Sequence, residues 1–370
     1  MPQRDVVVIG GSAGSIQPLT TIVKQLPGNL AASVLVVVHT RATSDGVLPD
    51  ILQRVGELNV AFARHEEVLA PARVYVAPPD FHLIVTTAGL QLVHGPRENG
   101  FRPAIDPLFR TAARELGPRV IGVILSGALS DGTYGLSLVK QHGGVAIVQD
   151  PAEADVDSMP TKALGAVDVD YILPAAEIAT AVARLSEERP ARRVMDGEQP
   201  MARSEDLEPQ LPAEETRVSE MEDRFGAASS LTCPDCGGAL WEVQEGRVLR
   251  YQCHVGHQYA PDVLETEQRD AVDSALWSAV RVLEEHAELK MRMAKRAADN
   301  GLETVSDGFA EGARDAHTHA QQIRSLLFTS TTGVRGQHAA AHKTRPPGLR
   351  RGSALVKKRP NKNARKKRRD

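Results

Sequence analysis

Short, nearly unbroken runs of Val and Ile constrain this chain more than any other feature. They fall in VVVIGG (Val6–Gly11), VLVVV (Val34–Val38), RVYVA (Arg73–Ala77), VIGVILS (Val120–Ser126) and VAIV (Val145–Val148). A strand with one wet face alternates apolar and polar residues, so a run without alternation is covered on both faces. Between these runs Ile16–Leu26, Val47–Arg54, Pro107–Leu116 and Thr133–His142 read as helices. The alternation predicts an α/β domain with a doubly wound, mostly parallel sheet. Phe81–Val85, Gly89 and Leu90–Val93 read as a hairpin, an antiparallel excursion from that sheet. No apolar run approaches the roughly 18 to 20 residues needed to span a bilayer.

At 370 residues, 42% hydrophobic and 25% charged, the chain has room for two or three domains. The expected division is an α/β domain over 1–185, an acidic disordered linker over 186–230, a small zinc-ribbon-like unit over 231–260, a helical hairpin over 261–328 and a basic disordered tail over 329–370. The linker lacks apolar periodicity and cannot bury enough surface to offset its ordering entropy. The hairpin is marked by Leu264, Ala271, Ala275, Val280, Leu283 and Leu289 at helical spacing, then a break at Asn300-Gly301. Its expected role is packing or dimerisation, with receptor docking as an alternative. The formal net charge of −3 conceals segregation: His342–Asp370 carries about 13 basic residues against one acid, leaving roughly −15 on the rest. Such a tail can attract nucleic acid or anionic lipid, although no motif specifies either. All three cysteines lie between Cys233 and Cys253 and no apolar leader follows a charged start, so a reducing cytoplasm is expected.

In a right-handed parallel sheet the carboxyl ends of the strands share one edge. Three residues just after predicted strands have complementary chemistry: Ser12 in GGSAGS, His39 in VVVHT and Asp131 in LSGALSDG. A serine hydroxyl becomes a useful nucleophile when an imidazole takes its proton and a carboxylate orients that imidazole. The glycine-rich turn at Ala13 and Gly14 offers backbone N–H donors to an oxyanion, and Gly127-Ala128-Leu129 offers a second. Two other readings stay open: Ser12 as the N-cap of the first helix, and GGSAGS as a weak dinucleotide fingerprint with Arg41 serving a 2′-phosphate. His82, His94, His142, Asp106 and Asp150 are expected in structural or surface roles, with His82 also placed to line the crevice.

The segments VVVIGGSAGS, VVVHT, ARVYVAPPDFHLIV, RPAIDPLFRTAA, GVILSGALSDGTYGL and VAIVQDPAEADVDSMPTKAL occur in order across Asp5 to about Leu185. Over that span the chain resembles the catalytic domain of CheB-type chemotaxis methylesterases. The resemblance places the family's nucleophile on Ser12, its base on His39 and its orienting carboxylate on Asp131. It implies hydrolysis of glutamate γ-methyl esters on chemoreceptor helices, with glutamine deamidation as a related reaction, no catalytic cofactor, and other chemosensory proteins as partners. Three positions depart from the family pattern: Ala13 replaces the usual Thr, Ala128 the usual Met, and Ala104 the Ser of R-P-S. A side-chain donor missing at position 13 would cost about a few kcal/mol of transition-state stabilisation. A catalytically weakened scaffold, binding partners through the ribbon and tail, is therefore the alternative. No phosphoacceptor domain precedes the resemblance, so control in cis by phosphorylation is not expected.

C-P-D-C, sixteen residues, then C-H-V-G-H supplies two knuckles that one tetrahedral Zn²⁺ can close together. Cys233, Cys236 and Cys253 are three ligands. His257 is preferred over His254 as the fourth because Gly256 lets the chain fold back. About 30 residues make a poor hydrophobic core, so metal binding would supply much of the unit's folding energy. Trp241 and Tyr251 are expected to pack the ribbon. This segment is similar to C-terminal extensions of some CheB-like proteins, which implies an accessory unit.

Overall fold

The structure is a computed structural model that describes residues 4–44, 46–187 and 227–340, with side chains as far as Phe328. Residues 188–226 of the expected linker and the tail from 341 onward lie outside the described residues. Two compact units divide the chain, Met1–Thr266 and Glu267–Asp370.

In the first unit, β1 (Val6–Gly11), β2 (Ser33–Val38), β3 (Asn59–Phe62), β4 (Arg73–Val76), β7 (Val120–Ile124), β8 (Val145–Gln149) and β9 (Tyr171–Leu173) form one sheet. Its order is β3-β4-β2-β1-β7-β8-β9 and every pairing is parallel. The unbroken apolar runs are explained by a core on each face. Val7, Ile9, Val34, Val36, Ile121 and Val123 point to one side, beneath α1 (Ile16–Gln25), α2 (Leu48–Gln53) and α6 (Ala175–Glu187). Val6, Val8, Leu35, Val37, Val120 and Ile124 point to the other, beneath α3 (Ile105–Leu116), α4 (Thr133–Gln141) and α5 (Ser158–Ala166). The chain leaves β1 toward β2 on one side and later returns to β7 on the other. That reversal opens a crevice at the carboxyl edge, where ligands bind in sheets of this kind.

The expected hairpin is present as β5 (His82–Thr86) and β6 (Gly89–Val93), paired antiparallel, but as a separate two-stranded sheet. It packs on the second core, and the Val85 N–H donates to Thr111 Oγ1 on α3 at 3.0 Å.

The cysteine segment forms a four-stranded antiparallel sheet of β10 (Ala227–Thr232), β11 (Ala239–Glu245), β12 (Val248–Cys253) and β13 (Gln258–Tyr259). Its core is small: Cys233, Leu240, Cys253 and Tyr259, with Val263 and Leu264 from the start of the next helix. Trp241 is buried within the sheet.

α7 (Pro261–Asp299) opens in the first unit and supplies most of the second, together with α8 (Glu303–Ala340). The break falls at residues 300–302, where Gly301 has φ +74. Buried alanines, Ala294, Ala297, Ala313, Ala316 and Ala320, let the two helices approach closely, and Arg324 donates to Glu284 Oε1 at 2.6 Å. α8 continues to Ala340, past residue 328 where the sequence places the hairpin's end. Among the described residues no helix is long and apolar enough to cross a membrane.

Candidate active site

Each of the three strand-end residues is set by its local backbone. Ser12 follows β1, and its N–H donates to Ser126 O at 3.0 Å, pinning it to the segment after β7. Its own carbonyl accepts from the N–H and Oγ of Ser15 at 3.1 and 2.6 Å. Ser15, not Ser12, therefore occupies the N-cap of α1, which leaves the Ser12 hydroxyl to face the crevice. Gly14 turns the chain at φ +75, where a Cβ would meet Ser126 Oγ and Asp155 Cβ, each at 2.7 Å. His39 follows β2, and its N–H donates to Gly11 O at 3.2 Å, holding it beside β1. Asp131 lies in the turn before α4, flanked by left-handed backbone at Leu129 and Gly132.

The three side chains form one hydrogen-bonded series. His39 Nδ1 lies 3.1 Å from Ser12 Oγ, and His39 Nε2 lies 2.7 Å from Asp131 Oδ2. With the ring proton on Nε2, His39 donates to the carboxylate and Nδ1 is free to accept the serine proton. Phe101 lies flat on the imidazole, with ring centroids 3.7 Å apart and planes 12° apart.

Asp131 also receives the N–H of Ile105 at 2.6 Å on Oδ2, and on Oδ1 those of Gly132 at 2.9 Å and Asp106 at 3.2 Å. Ile105 and Asp106 open α3, so the carboxylate takes the place of a cap at that helix N-terminus, where partial positive charge favours it. Ala104, the residue before the helix, makes no side-chain cap bond. Burial pushes the Asp131 carboxyl up, but His39, the Ile105 N–H and Asn99 outweigh it and hold the group below its ordinary value. Neighbouring Asp106 goes the other way, raised well above its ordinary value by burial and then by the Asp131 charge.

Sequence reasoning missed Asn99 and Phe101. Asn99 Nδ2 donates to Asp131 Oδ1 at 2.8 Å and to Asp106 Oδ2 at 3.1 Å, bridging the two carboxyls. Its backbone φ of +52 and that of Gly100, +77, fit the Asn-Gly dipeptide, a turn signal that says nothing about where the turn lies. The base of this turn is held by Glu98, whose carboxylate accepts two bonds from Arg110 at 2.8 and 2.9 Å.

Of the turn expected to supply a second oxyanion donor, the Gly127 N–H is already given to Val156 O at 3.0 Å. Gly127 lies against Ser12, since a Cβ there would stand 3.0 Å from Ser12 Cβ and 2.8 Å from Met159 Sδ. His82 is buried, with Nε2 2.8 Å from Pro96 O and Nδ1 accepting the Ala104 N–H at 3.3 Å, so it fixes the segment that carries Asn99 and Phe101. His94 pairs with Asp80 at 2.9 Å, Asp150 accepts the Ala152 N–H at 2.9 Å, and His142 is the C-cap of α4.

A second group lies in the four-stranded unit. One ligand atom from each of Cys233, Cys236, Cys253 and His257 falls within 4.8 Å of the others. Cys236 Sγ to Cys253 Sγ is 3.7 Å, and His257 Nδ1 is 3.4 and 3.6 Å from the sulfurs of Cys253 and Cys233. A tetrahedral Zn²⁺ site has S···S edges of about 3.8 Å and S···N edges of about 3.6 Å. Two turns build the group: Cys233 N–H to Gly238 O at 2.7 Å and Cys253 N–H to His257 O at 3.0 Å. His254 is exposed and lies outside it.

A doubly wound parallel sheet with hydroxyl, imidazole and carboxylate in series defines an α/β domain with one polar site at the carboxyl edge of its sheet. The family described as CheB methylesterase matches residues 7–182. A relative from Leptospira interrogans, named putative protein-glutamate methylesterase/protein-glutamine glutaminase, is 40% identical over 184 residues, 50% of this chain and 95% of the relative. The chain belongs to the CheB methylesterase family. Relatives named protein-glutamate methylesterase/protein-glutamine glutaminase from Moorella thermoacetica and Pyrococcus abyssi are 38% and 35% identical over 50% of this chain, which spans 45% and 52% of their lengths. The Thermotoga maritima CheB methylesterase catalytic domain is 34% identical, with 49% of this chain and 98% of that one covered and a TM-score of 0.47.

Proposed function

We propose that this chain hydrolyses glutamate γ-methyl esters on chemoreceptor helices, with deamidation of receptor glutamines as a second acyl transfer on the same site. The observation that carries the reading is the bonded series Ser12 Oγ, His39, Asp131 at 3.1 and 2.7 Å. His39 Nδ1 takes the Ser12 proton as Oγ attacks the ester carbonyl. Asp131, kept ionised by its donors, balances the imidazolium. The oxyanion faces N–H groups of the Ala13-Gly14 turn and of Ala128. Collapse breaks the C–O bond, and Nδ1–H protonates the departing methoxide to give methanol. Water, deprotonated by the same nitrogen, then cleaves the acyl-serine and frees the glutamate carboxylate. With a glutamine the C–N bond breaks instead, the amide nitrogen takes the proton from Nδ1–H and leaves as ammonia, and water again frees a glutamate carboxylate.

In the same reading, Cys233, Cys236, Cys253 and His257 hold a structural Zn²⁺, for which the donor set and the S···S and S···N separations fit. No step of the hydrolysis passes through it. The test of the esterase is methanol release from methylated receptor helices. Ser12→Ala should lower turnover by at least roughly 10³-fold with the fold intact; undiminished release would remove Ser12 from the chemistry.

A further inference from the structure

Asn99 is gripped from two sides. Its side chain donates to Asp131 Oδ1 at 2.8 Å, while its own N–H donates to Gln258 O at 2.7 Å and its Oδ1 accepts the Ala260 N–H at 2.8 Å. Gln258 and Ala260 lie one and three residues after His257. Tyr259 between them is fully buried, with its hydroxyl 3.3 Å from Cys233 Sγ and donating to Asp235 at 2.5 Å. The ribbon and the first turn of α7 also hold the Asp131 turn and the start of α4. Ser130 Oγ donates to Asp262 Oδ1 at 2.5 Å, Tyr134 OH donates to Glu245 Oε2 at 2.5 Å, and the Arg250 guanidinium lies 3.7 Å from the centre of the Tyr134 ring. Lys162 pairs with Asp262 as well.

We infer that the Cys233–Cys236–Cys253–His257 group, filled by a divalent metal of the zinc type, sets esterase activity by holding Asn99 against Asp131. The inference rests on the esterase reading above. The ribbon's core of six residues is too small to order the segment alone, so the cross-link decides whether the strand Gln258–Tyr259 exists to receive Asn99. Without that strand two of the polar partners of Asn99 are lost. What remains is the side-chain bonds of Asn99 to Asp131 and Asp106 and the Glu98–Arg110 pair at the base of the turn, while the Asn99 N–H loses its partner, so the left-handed turn at Asn99-Gly100 is held less tightly in register with the carboxylate. Phe101, which covers His39, is carried on the same turn. Loss of metal is thus transmitted to the orienting carboxylate and to the imidazole face, although no metal-ligating atom touches the triad. Asn99 is a positioning residue in this scheme, and the metal-bearing unit is a regulatory element that reports metal supply to the hydrolytic site.

The test uses the full chain, loaded with Zn²⁺ or stripped by a chelator, with metal content measured directly and turnover read on a small activated ester that needs no receptor. Stripping should lower kcat about tenfold or more with KM little changed, and Zn²⁺ should restore it. The Asn99 amide should lose protection against hydrogen exchange by a comparable factor when stripped. Asn99→Gly keeps the left-handed backbone and its N–H while removing the amide side chain. It should lower kcat similarly in loaded protein and leave stripping little further effect. Failure to take up a divalent metal, an unchanged Asn99 exchange rate on stripping, or full additivity of stripping and Asn99→Gly would each overturn the inference. A Ser12→Ala protein that still turns over would overturn the esterase reading instead, and the exchange measurement would still decide whether metal holds Asn99.

Discussion

Phe101 stacks on His39 at a centroid distance of 3.7 Å, closing the face of the imidazole that its two in-plane bonds leave bare. An aromatic pair of this kind contributes about 0.5–1.5 kcal/mol beyond its buried area. The in-plane bonds fix the ring's tilt poorly, so the stack is what holds Nδ1 toward Ser12. Phe101→Ala should lower kcat on a small ester by about three- to tenfold while KM changes little. Phe101→Tyr should restore most of the loss, and steady-state kinetics of the three proteins checks this.

Gly127 has an ordinary backbone conformation, so its requirement is for space. An added Cβ would stand 3.0 Å from Ser12 Cβ and 2.8 Å from Met159 Sδ and Cε. The thioether end can swing away, whereas Ser12 is pinned by Ser126 and Ser15. Gly127→Ala should therefore displace the hydroxyl from His39 and reduce kcat by roughly 10²-fold, since misplacement by about 1 Å carries that penalty. The melting temperature should move by only a few degrees, and adding Met159→Ala should not recover the activity.

How much of this was legible beforehand follows from where each signal is encoded. The buried strands Val6–Gly11, Ser33–Val38 and Val120–Ile124 announce themselves because both faces are apolar, and parallel topology then brings residues 12, 39 and 131 to one edge. The edge strands Asn59–Phe62 and Tyr171–Leu173 are half-exposed and short, and carry no such run. The Cys-x-x-Cys spacing exposes the second group for the same reason, since chemistry and spacing are local there. Asn99 and Phe101 stayed hidden because their roles arise from contacts across 32 and 62 residues, to Asp131 and His39, and their own turn looks like any Asn-Gly turn. The bond of Asn99 to Ala260 spans 161 residues and leaves no mark on local pattern.

Asp131→Asn tests the carboxylate in two ways. The amide keeps one acceptor oxygen but turns a donor toward N–H groups, facing either Ile105 or Gly132 and Asn99. Leaving such buried donors unpaired costs about 1–3 kcal/mol each. Without a negative partner His39 also loses its preferred tautomer, so kcat should fall by about 10⁴-fold. The wild-type carboxyl lies below its ordinary value of 3.8 in the folded protein. The native state thus binds fewer protons than the unfolded one, and the stabilisation is present above 3.8 and lost as pH falls through the lowered value. Acid unfolding followed by circular dichroism should show a shallower loss of stability in the variant than in wild type below about pH 4.

His82 supplies a second acid-sensitive point, in a higher pH range. Both ring nitrogens are engaged: Nε2–H donates to Pro96 O at 2.8 Å and Nδ1 accepts the Ala104 N–H at 3.3 Å. A second proton on Nδ1 would face that N–H directly, and burial, the largest cause, already lowers the group below its ordinary value of 6.5 despite the nearby Glu98 charge. The folded protein therefore resists protonation more than the unfolded chain does. Stability from this group is complete above about pH 6.5 and declines as pH falls toward the lowered value. His82 ties Pro96 to Ala104 across the turn that carries Asn99 and Phe101, so protonation should loosen the triad's supports before the sheet unfolds. In His82→Gln, which can donate one bond and accept one but cannot titrate, the melting temperature should become flatter between pH 7 and 5 than in wild type. The protection factor of the Asn99 amide, taken against its intrinsic exchange rate at each pH, should become independent of pH over the same interval. Equal slopes in the two proteins would show that another group governs this part of the acid response.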